Sequence, residues 1–246
     1  MCAHRFRFSE LPDSCFKSPA TKFSYPDGCG LVLFDADDFN NGLLDLKISS
    51  LVSPESCFAE IVIGKIRRKA SLRINIGKGS RVSIGSGVVG HWHISSWHNS
   101  NVVISDDTTA NNTVNIAVKV LVEPGATVLV GKDCMFSDGI TLQCGGQHSI
   151  ISLDSREILS LGDSRLIIED HCWIGRDSTI VSSSKETSIG SGGVVATRAV
   201  LTKSIPPCCI VAGNPARVVR DRVTWSRQFR ATKFEVDRLC DQMDAF

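Results

Sequence analysis

The sequence predicts an all-β chain wound as a triangular coil, and three observations carry that expectation. An aliphatic anchor returns every six residues, at Ile168, Ile174 and Ile180, and again at Ile189, Val195 and Leu201 after three extra residues. Several anchors are followed by glycine, as in Ile76-Gly77, Val130-Gly131, Ile174-Gly175 and Ile189-Gly190, which suits tight corners. The composition favours strands and turns over helices: 20 Gly, three Met, one Tyr, and a middle region dense in Val, Ile, Ser and Thr. A period of six fits neither a helix at 3.6 residues per turn nor a simple two-sided strand. It fits three short strands per turn, with turns stacked about 4.8 Å apart like neighbouring strands in a sheet. An ordinary β-sandwich gives no reason for six anchors in register.

Earlier copies of the repeat run from Ile76 to Val82, from Val122 to Val128, and from Val130 through Phe136 to Leu142. The coil is therefore expected over 61–222. Residues 1–60 lack the repeat, carry turn signals at Pro26-Asp27-Gly28 and Asn40-Asn41-Gly42, and are expected as a β-rich lead-in. Two stretches break the period. Residues 90–115 are rich in His, Trp and Asn, and residues near 143–167 lie between two clean turns. The second is expected to be a loop thrown outward from one corner, the kind of segment that carries function on a rigid scaffold. Over 223–246, Phe229, Lys233, Val236, Leu239 and Cys240 fall near helical spacing, which predicts a short C-terminal helix packed outside the coil.

Lys plus Arg is 27 and Asp plus Glu is 26, a net charge of +1, which argues against a nucleic-acid binder. No apolar run approaches the ~18 residues of a membrane span, so no integral membrane segment is expected. The opening residues lack the apolar stretch of an export signal, which points to a cytoplasmic setting. The ten cysteines include no Cys-x-x-Cys pair. They read as reduced, small core residues rather than a disulfide framework or a zinc ribbon.

The stretch from Val130 to Val223 resembles the hexapeptide-repeat acyltransferases, and more narrowly the bacterial O-acetyltransferases of capsule, polysialic acid and other surface polysaccharides. The matching pieces are Met135 to Leu142, Gln147 to Ile150, Asp154, Ile168 to Gly175, Ile205-Pro206-Pro207, and Val211 to Arg217. The resemblance implies a left-handed parallel β-helix, acetyl-CoA as acyl donor, a sugar or polysaccharide acceptor, and a homotrimer with its sites between neighbouring coils. Residues 1–60 add nothing to the match.

Moving an acetyl group from a thioester to a hydroxyl needs a base, a donor for the developing oxyanion, and a groove for a long cofactor. By resemblance, His148 is the base, sitting in the outward loop after Gly145-Gly146. Asp138 can orient its imidazole, the alternative being a corner residue that caps a turn. Asp154 is a weaker candidate. Trp173 is too large for the coil interior at a small-residue slot and should point outward. The resemblance places it in the active site, its indole N–H toward the thioester and its face on pantetheine, the alternative being an interface aromatic. His171 is expected to be structural. Cys144 is not expected to be a nucleophile, because direct transfer needs no acyl-enzyme and nothing marks its thiol as activated.

The cofactor is expected along the C-terminal turns, where the small residues Gly175, Gly193, Ala196 and Thr197 allow close approach. Lys203 and Arg217 match basic positions that meet the phosphates, with Arg198 and Arg220 as further candidates, and Pro206-Pro207 stiffens the exit of the last turn. The histidines 91, 93 and 98 raise a metal-binding alternative, but they do not sit in clean six-residue units, and no metal is expected. Trp92 and Trp97 are expected to form an acceptor-facing wall. Two rival functions stay open: an amino-sugar or antibiotic N-acetyltransferase of the same fold, and a metal-binding coil.

Overall fold

The computed structural model describes residues 4–7, 10–11, 13–15, 30–33, 41–50, 59–111, 116–160, 163–183 and 185–244. It is a parallel β-helix with three sheets of eight, seven and six strands. Face one stacks His4–Arg7, Gly30–Leu33, Glu60–Ile63, Arg81–Ile84, Asn101–Ile104, Thr127–Val130, Arg165–Ile168 and Glu186–Ile189. Face two stacks Leu44–Ser50, Ala70–Ile76, Gly90–Ser96, Val118–Val122, Thr141–Cys144, Thr179–Ser182 and Val200–Leu201. Face three holds Thr109–Ala110, Met135–Phe136, Trp173–Ile174, Val194–Val195, Ile210–Gly213 and Ala216–Arg220. Each full turn runs from face one to three to two, so the prism has a one–three, a three–two and a two–one corner.

The repeat anchors do what their period requires. Val82, Val102, Val128, Leu166, Ile174, Ile180, Ile189 and Leu201 are all buried inside the prism. Pairing is parallel throughout the coil and antiparallel only at its two ends. It begins earlier than the repeat: Gly30–Leu33 and Leu44–Ser50 already pair in parallel with Glu60–Ile63 and Ala70–Ile76. Part of the expected lead-in is thus wound into the coil, because alternation of apolar residues suffices where the six-residue spacing is lost.

The glycines after the anchors serve a purpose other than the turn itself. A Cβ on Gly175 would lie 2.7 Å from the Thr197 nitrogen, and one on Gly77 would lie 2.9 Å from that of His98. The missing side chain is where the next turn passes. The left-handed residue comes two positions later, as at Asp177 with φ 55°.

Trp92 is corrected by the structure. Expected on an outer wall, it is 1% exposed, edge-on to Phe136 with centroids 5.2 Å apart, and its Nε1 donates to the Val89 carbonyl at 3.1 Å. The period-2 alternation of Gly90–Ser96 points Trp92 inward with its buried register partners Leu72 and Val118. Trp97 is half-buried against His98.

The C-terminal helix spans Lys233–Met243, starting later than expected. Thr232 caps it, its side chain accepting from the Glu235 N–H. Leu239 and Met243 form the buried face, while Phe229 lies outside the helix and is exposed. No described helix is long and apolar enough to cross a membrane.

Of the ten cysteines, Cys134, Cys144, Cys172, Cys208, Cys209 and Cys240 are free thiols, the first three and Cys209 buried. Cys2, Cys29 and Cys57 lie outside the described residues.

Candidate active site

The chain leaves the coil after Cys144, at the two–one corner, and returns to it at Arg165. Gly145 makes this exit. Its φ is +88°, and a Cβ there would lie 2.8 Å from that of Glu123 in the turn below. Gln147 ties the root of the loop down, its Nε2 donating to Glu123 Oε1 at 3.2 Å. Beyond it the loop folds on itself as a small antiparallel hairpin. Leu159 N–H donates to the Ile150 carbonyl at 2.7 Å and Ser152 N–H to that of Glu157 at 2.9 Å. His148 and Asp154 are both exposed on this arm. So are Ile150, Ile151, Leu153, Ile158 and Leu159, a concentration of bare aliphatic surface on one short segment.

Asp138 sits elsewhere. It belongs to the three–two corner, at the far end of the strand Thr141–Cys144, which is about 10 Å long at 3.3 Å per residue. It is buried, and its Oδ2 accepts from Asn111 Nδ2 at 2.9 Å and from Arg176 at 3.2 Å, while Oδ1 is enclosed with no hydrogen-bond partner among the described residues. Among the described residues no hydrogen bond joins it to His148. Within one chain, then, Asp138 does not orient that imidazole, because the width of face two separates them.

The cofactor candidates divide among the corners. Gly175, Ala196, Thr197 and Arg198 follow Asp138 up the three–two corner, with Arg198 N–H donating to the Arg176 carbonyl at 2.8 Å. Arg198 reaches Asp177 at 3.7 Å. Arg217 lies next to them, on the return strand opposite Ala212, and is exposed. Lys203 is exposed at the two–one corner, on the same edge as the arm. Gly193 and Pro207 lie on the one–three corner. Gly175 and Gly193 are buried and enclosed by the coil itself: a Cβ on Gly193 would lie 2.8 Å from the Gly190 carbonyl. These two glycines serve coil stacking, contrary to the expectation that they open surface to a ligand. Pro207 lines a cavity of about 560 Å³ between the last turn and the C-terminal helix, with Cys208, Arg222, Cys240 and Met243.

Trp173 points outward as expected, 36% exposed on face three, tilted against Trp225 at 5.9 Å. Trp225 had not been singled out in the sequence. Its ring stacks on His171 at 4.4 Å, its Nε1 donates to the His171 carbonyl at 2.8 Å, and its own carbonyl lies 2.9 Å from His171 Nε2. The other ring nitrogen of His171 meets Asp133 Oδ2 at 2.7 Å. Arg227 fastens the same segment to the one–three corner, binding Asp133 Oδ1 at 2.8 Å, Thr109 Oγ1 at 2.9 Å and the Cys134 carbonyl at 3.1 Å. Burial pushes the Asp133 carboxyl up. Hydrogen bonds from His171 and Arg227, with their charge, outweigh it and hold the group below its ordinary value. A tryptophan in the tail just after the last turn was the available signal for this docking.

Burial pushes the Cys144 thiol up to about 11, which removes it as a nucleophile at neutral pH. Among the described residues no three His, Cys, Asp or Glu side chains gather as metal ligands.

No protein-family model matches the chain. It is 30% identical over 118 residues to the polysialic acid O-acetyltransferase of Escherichia coli O1:K1 / APEC, covering 48% of this chain and 37% of that protein. It is 31% identical over 88 residues to the putative colanic acid biosynthesis acetyltransferase WcaF of Escherichia coli K12, covering 32% and 47%. To a chloramphenicol acetyltransferase of Agrobacterium fabrum it is 39% identical over 64 residues, covering 26% and 28%. The chain thus spans less than half the length of these curated relatives. The crystal structure of the polySia specific acetyltransferase NeuO superposes with a TM-score of 0.65 at 22% identity, over 91% of both chains. With this superposition, the six-residue repeat and the parallel register of its three faces, the chain has the β-helix fold of the hexapeptide-repeat acetyltransferases.

Proposed function

We propose that the protein transfers acetyl from acetyl-CoA to a hydroxyl of a sugar or surface polysaccharide, with His148 as general base. The observation that carries this reading is the arm: an exposed histidine on a hairpin rooted by Gln147 and Glu123, outside an otherwise closed coil. An exposed imidazole has room to take a hydroxyl proton as attack on the thioester begins. Trp173 presents a half-open indole for the pantetheine arm, Arg217 and Lys203 present exposed charge for phosphates, and the cavity beside Pro207, lined by both apolar and charged side chains, has the size for a purine.

The residues named for one reaction lie on different corners of a single chain, and the arm exposes five aliphatic side chains. Both features suit a homotrimer in which the arm of one copy lies over face three of the next, which carries Trp173 and borders the Asp138 corner. Mixing His148→Ala chains with Trp173→Ala chains should restore activity in the mixed oligomers if sites are shared. A mixture as inactive as its parents removes the shared site.

A panel of acceptors with free-thiol detection tests the reaction. Thiol release dependent on hexose or sialic-acid hydroxyls is the expected result. Release only with amino sugars or chloramphenicol would favour the rival reading, which the short match to a chloramphenicol acetyltransferase supports.

A further inference from the structure

Face two carries a charge pattern that acetyl transfer alone does not use. Lys47, Arg73, His93 and Lys119 occupy one outward column: Lys47 pairs with Arg73, Arg73 with His93, and His93 with Lys119 in successive parallel registers. At strand spacing this is a line of four basic groups about 14 Å long. The residues on either side of each, such as Leu72 and Ile74 or Trp92 and Ile94, are buried, so the column faces away from the core.

Several cations elsewhere on the coil are neutralised locally. Arg81 pairs with Glu60 at 3.2 Å, Arg165 with Glu186 at 3.2 Å, and Arg176 with Asp138 at 3.2 Å. Among the described residues no carboxylate pairs with Arg73 or Lys119, and both are exposed. The Lys47 ammonium meets the Ser14 carbonyl. Burial, then the charges of Lys119 and Arg73, push the His93 pKa down, as expected for like charges aligned with no anion between them. The flanking columns are hydrogen-bonding and almost free of charge: Ser71 and His91 on one side, Ser49, Asn75 and Ser95 on the other. Asn75 Nδ2 lies 3.0 Å from both His93 Nε2 and Ser95 Oγ. The one carboxylate there, Asp45, accepts from Ser71 Oγ at 3.0 Å.

We infer that this column binds a chain of acidic sugars, laid along the β-helix axis and leading to the arm that carries His148. The cations Lys47, Arg73 and Lys119, with His93 held toward its neutral form between them, fit an acidic polymer, and neutral hydroxyl and amide groups on both flanks suit sugar hydroxyls. The direction is set by register. Lys119 pairs with Thr141, so the column ends one turn below the strand Thr141–Cys144, and that strand covers the remaining distance of about 10 Å to the root of the arm. The inference rests on the acetyl-transfer reading and sharpens its acceptor to an anionic glycan.

The test is direct binding by the full chain, read by fluorescence anisotropy with labelled oligosialic and oligogalacturonic acids, a neutral dextran oligomer and a single-stranded oligodeoxynucleotide of equal charge. The acidic oligosaccharides should bind, weaken with added salt and gain affinity with length until the column is filled, while dextran should not bind. Arg73→Glu with Lys119→Glu should weaken binding about tenfold or more. Lys78→Glu with Lys185→Glu makes the same net charge change off the column and should leave binding within about twofold. Equal losses in both double variants, no binding of either acidic oligosaccharide, or tighter binding of the oligonucleotide would overturn the inference. Thiol release with a monosaccharide acceptor, but without column-dependent binding, overturns this inference alone. Column-dependent binding with no thiol release from any acceptor overturns the acetyl-transfer reading instead.

Discussion

Two histidines 23 positions apart show how differently one residue type can be used on this scaffold. His148 stands exposed on a hairpin arm outside the coil. His171 lies in the one–three corner at 3% exposure, stacked on Trp225 and bonded through both ring nitrogens. Its φ of 57° continues a column of left-handed corner residues, Asp107, Asp133 and Cys208 among them. The physical difference is between an imidazole left open to solvent and one committed to holding a tail on a corner. A histidine in a repeat motif is thus weak grounds for catalysis until its two nitrogens are accounted for.

The comparison can be broken first at its catalytic end. His148→Ala should lower kcat by about 10²- to 10⁴-fold, the usual worth of a positioned base, with the melting temperature unchanged. Steady-state kinetics beside a thermal melt checks this, and near-normal turnover would return the base to another residue. The reverse is expected at the corner. His171→Ala or Trp225→Ala should cost about 2–4 kcal/mol of stability, since each empties a packed aromatic site and orphans a hydrogen bond. Turnover per folded molecule should stay close to normal. The double variant should lose less than the sum, because the two side chains share one set of contacts.

Two glycines sharpen the same contrast with a smaller effect. Gly175→Ala places a Cβ 2.7 Å from backbone in the next turn, a clash that typically costs about 1–3 kcal/mol. Gly146→Ala, on the arm, finds its nearest atom 3.8 Å away and should change stability by less than about 0.5 kcal/mol. Equal melting temperatures for the two variants would contradict the close stacking described here.

The smallest effect is set by pH. Asp133 has a depressed folded pKa, so its bonds to His171 and Arg227 contribute stability above the ordinary carboxylate value of about 4, and that contribution is lost as pH falls through the lower folded value. Trp225 fluorescence should therefore shift on acidification below the ordinary range, and Asp133→Asn should abolish that step. A transition near pH 6 that survives the substitution would assign it to another group.

The six-residue anchors made the coil, its corners and the outward arm legible in advance, because burying an aliphatic at each corner-to-corner strand is a local requirement written at fixed spacing. The arm was legible as the stretch where that spacing fails between two clean turns. Trp92 was misplaced because strand alternation, with room left beside Phe136, decided its direction. The split of Asp138, His148 and Lys203 over two corners depends on how many residues each turn spends on each face. The cationic column was hidden for the same reason: its members are 26, 20 and 26 positions apart, since turns of unequal length separate them. The sequence by itself determined which residues must be inside and where the chain could leave the coil. Only the tertiary structure decided which outward residues became neighbours, because neighbours on the faces belong to successive turns and their pairing is set by stacking register.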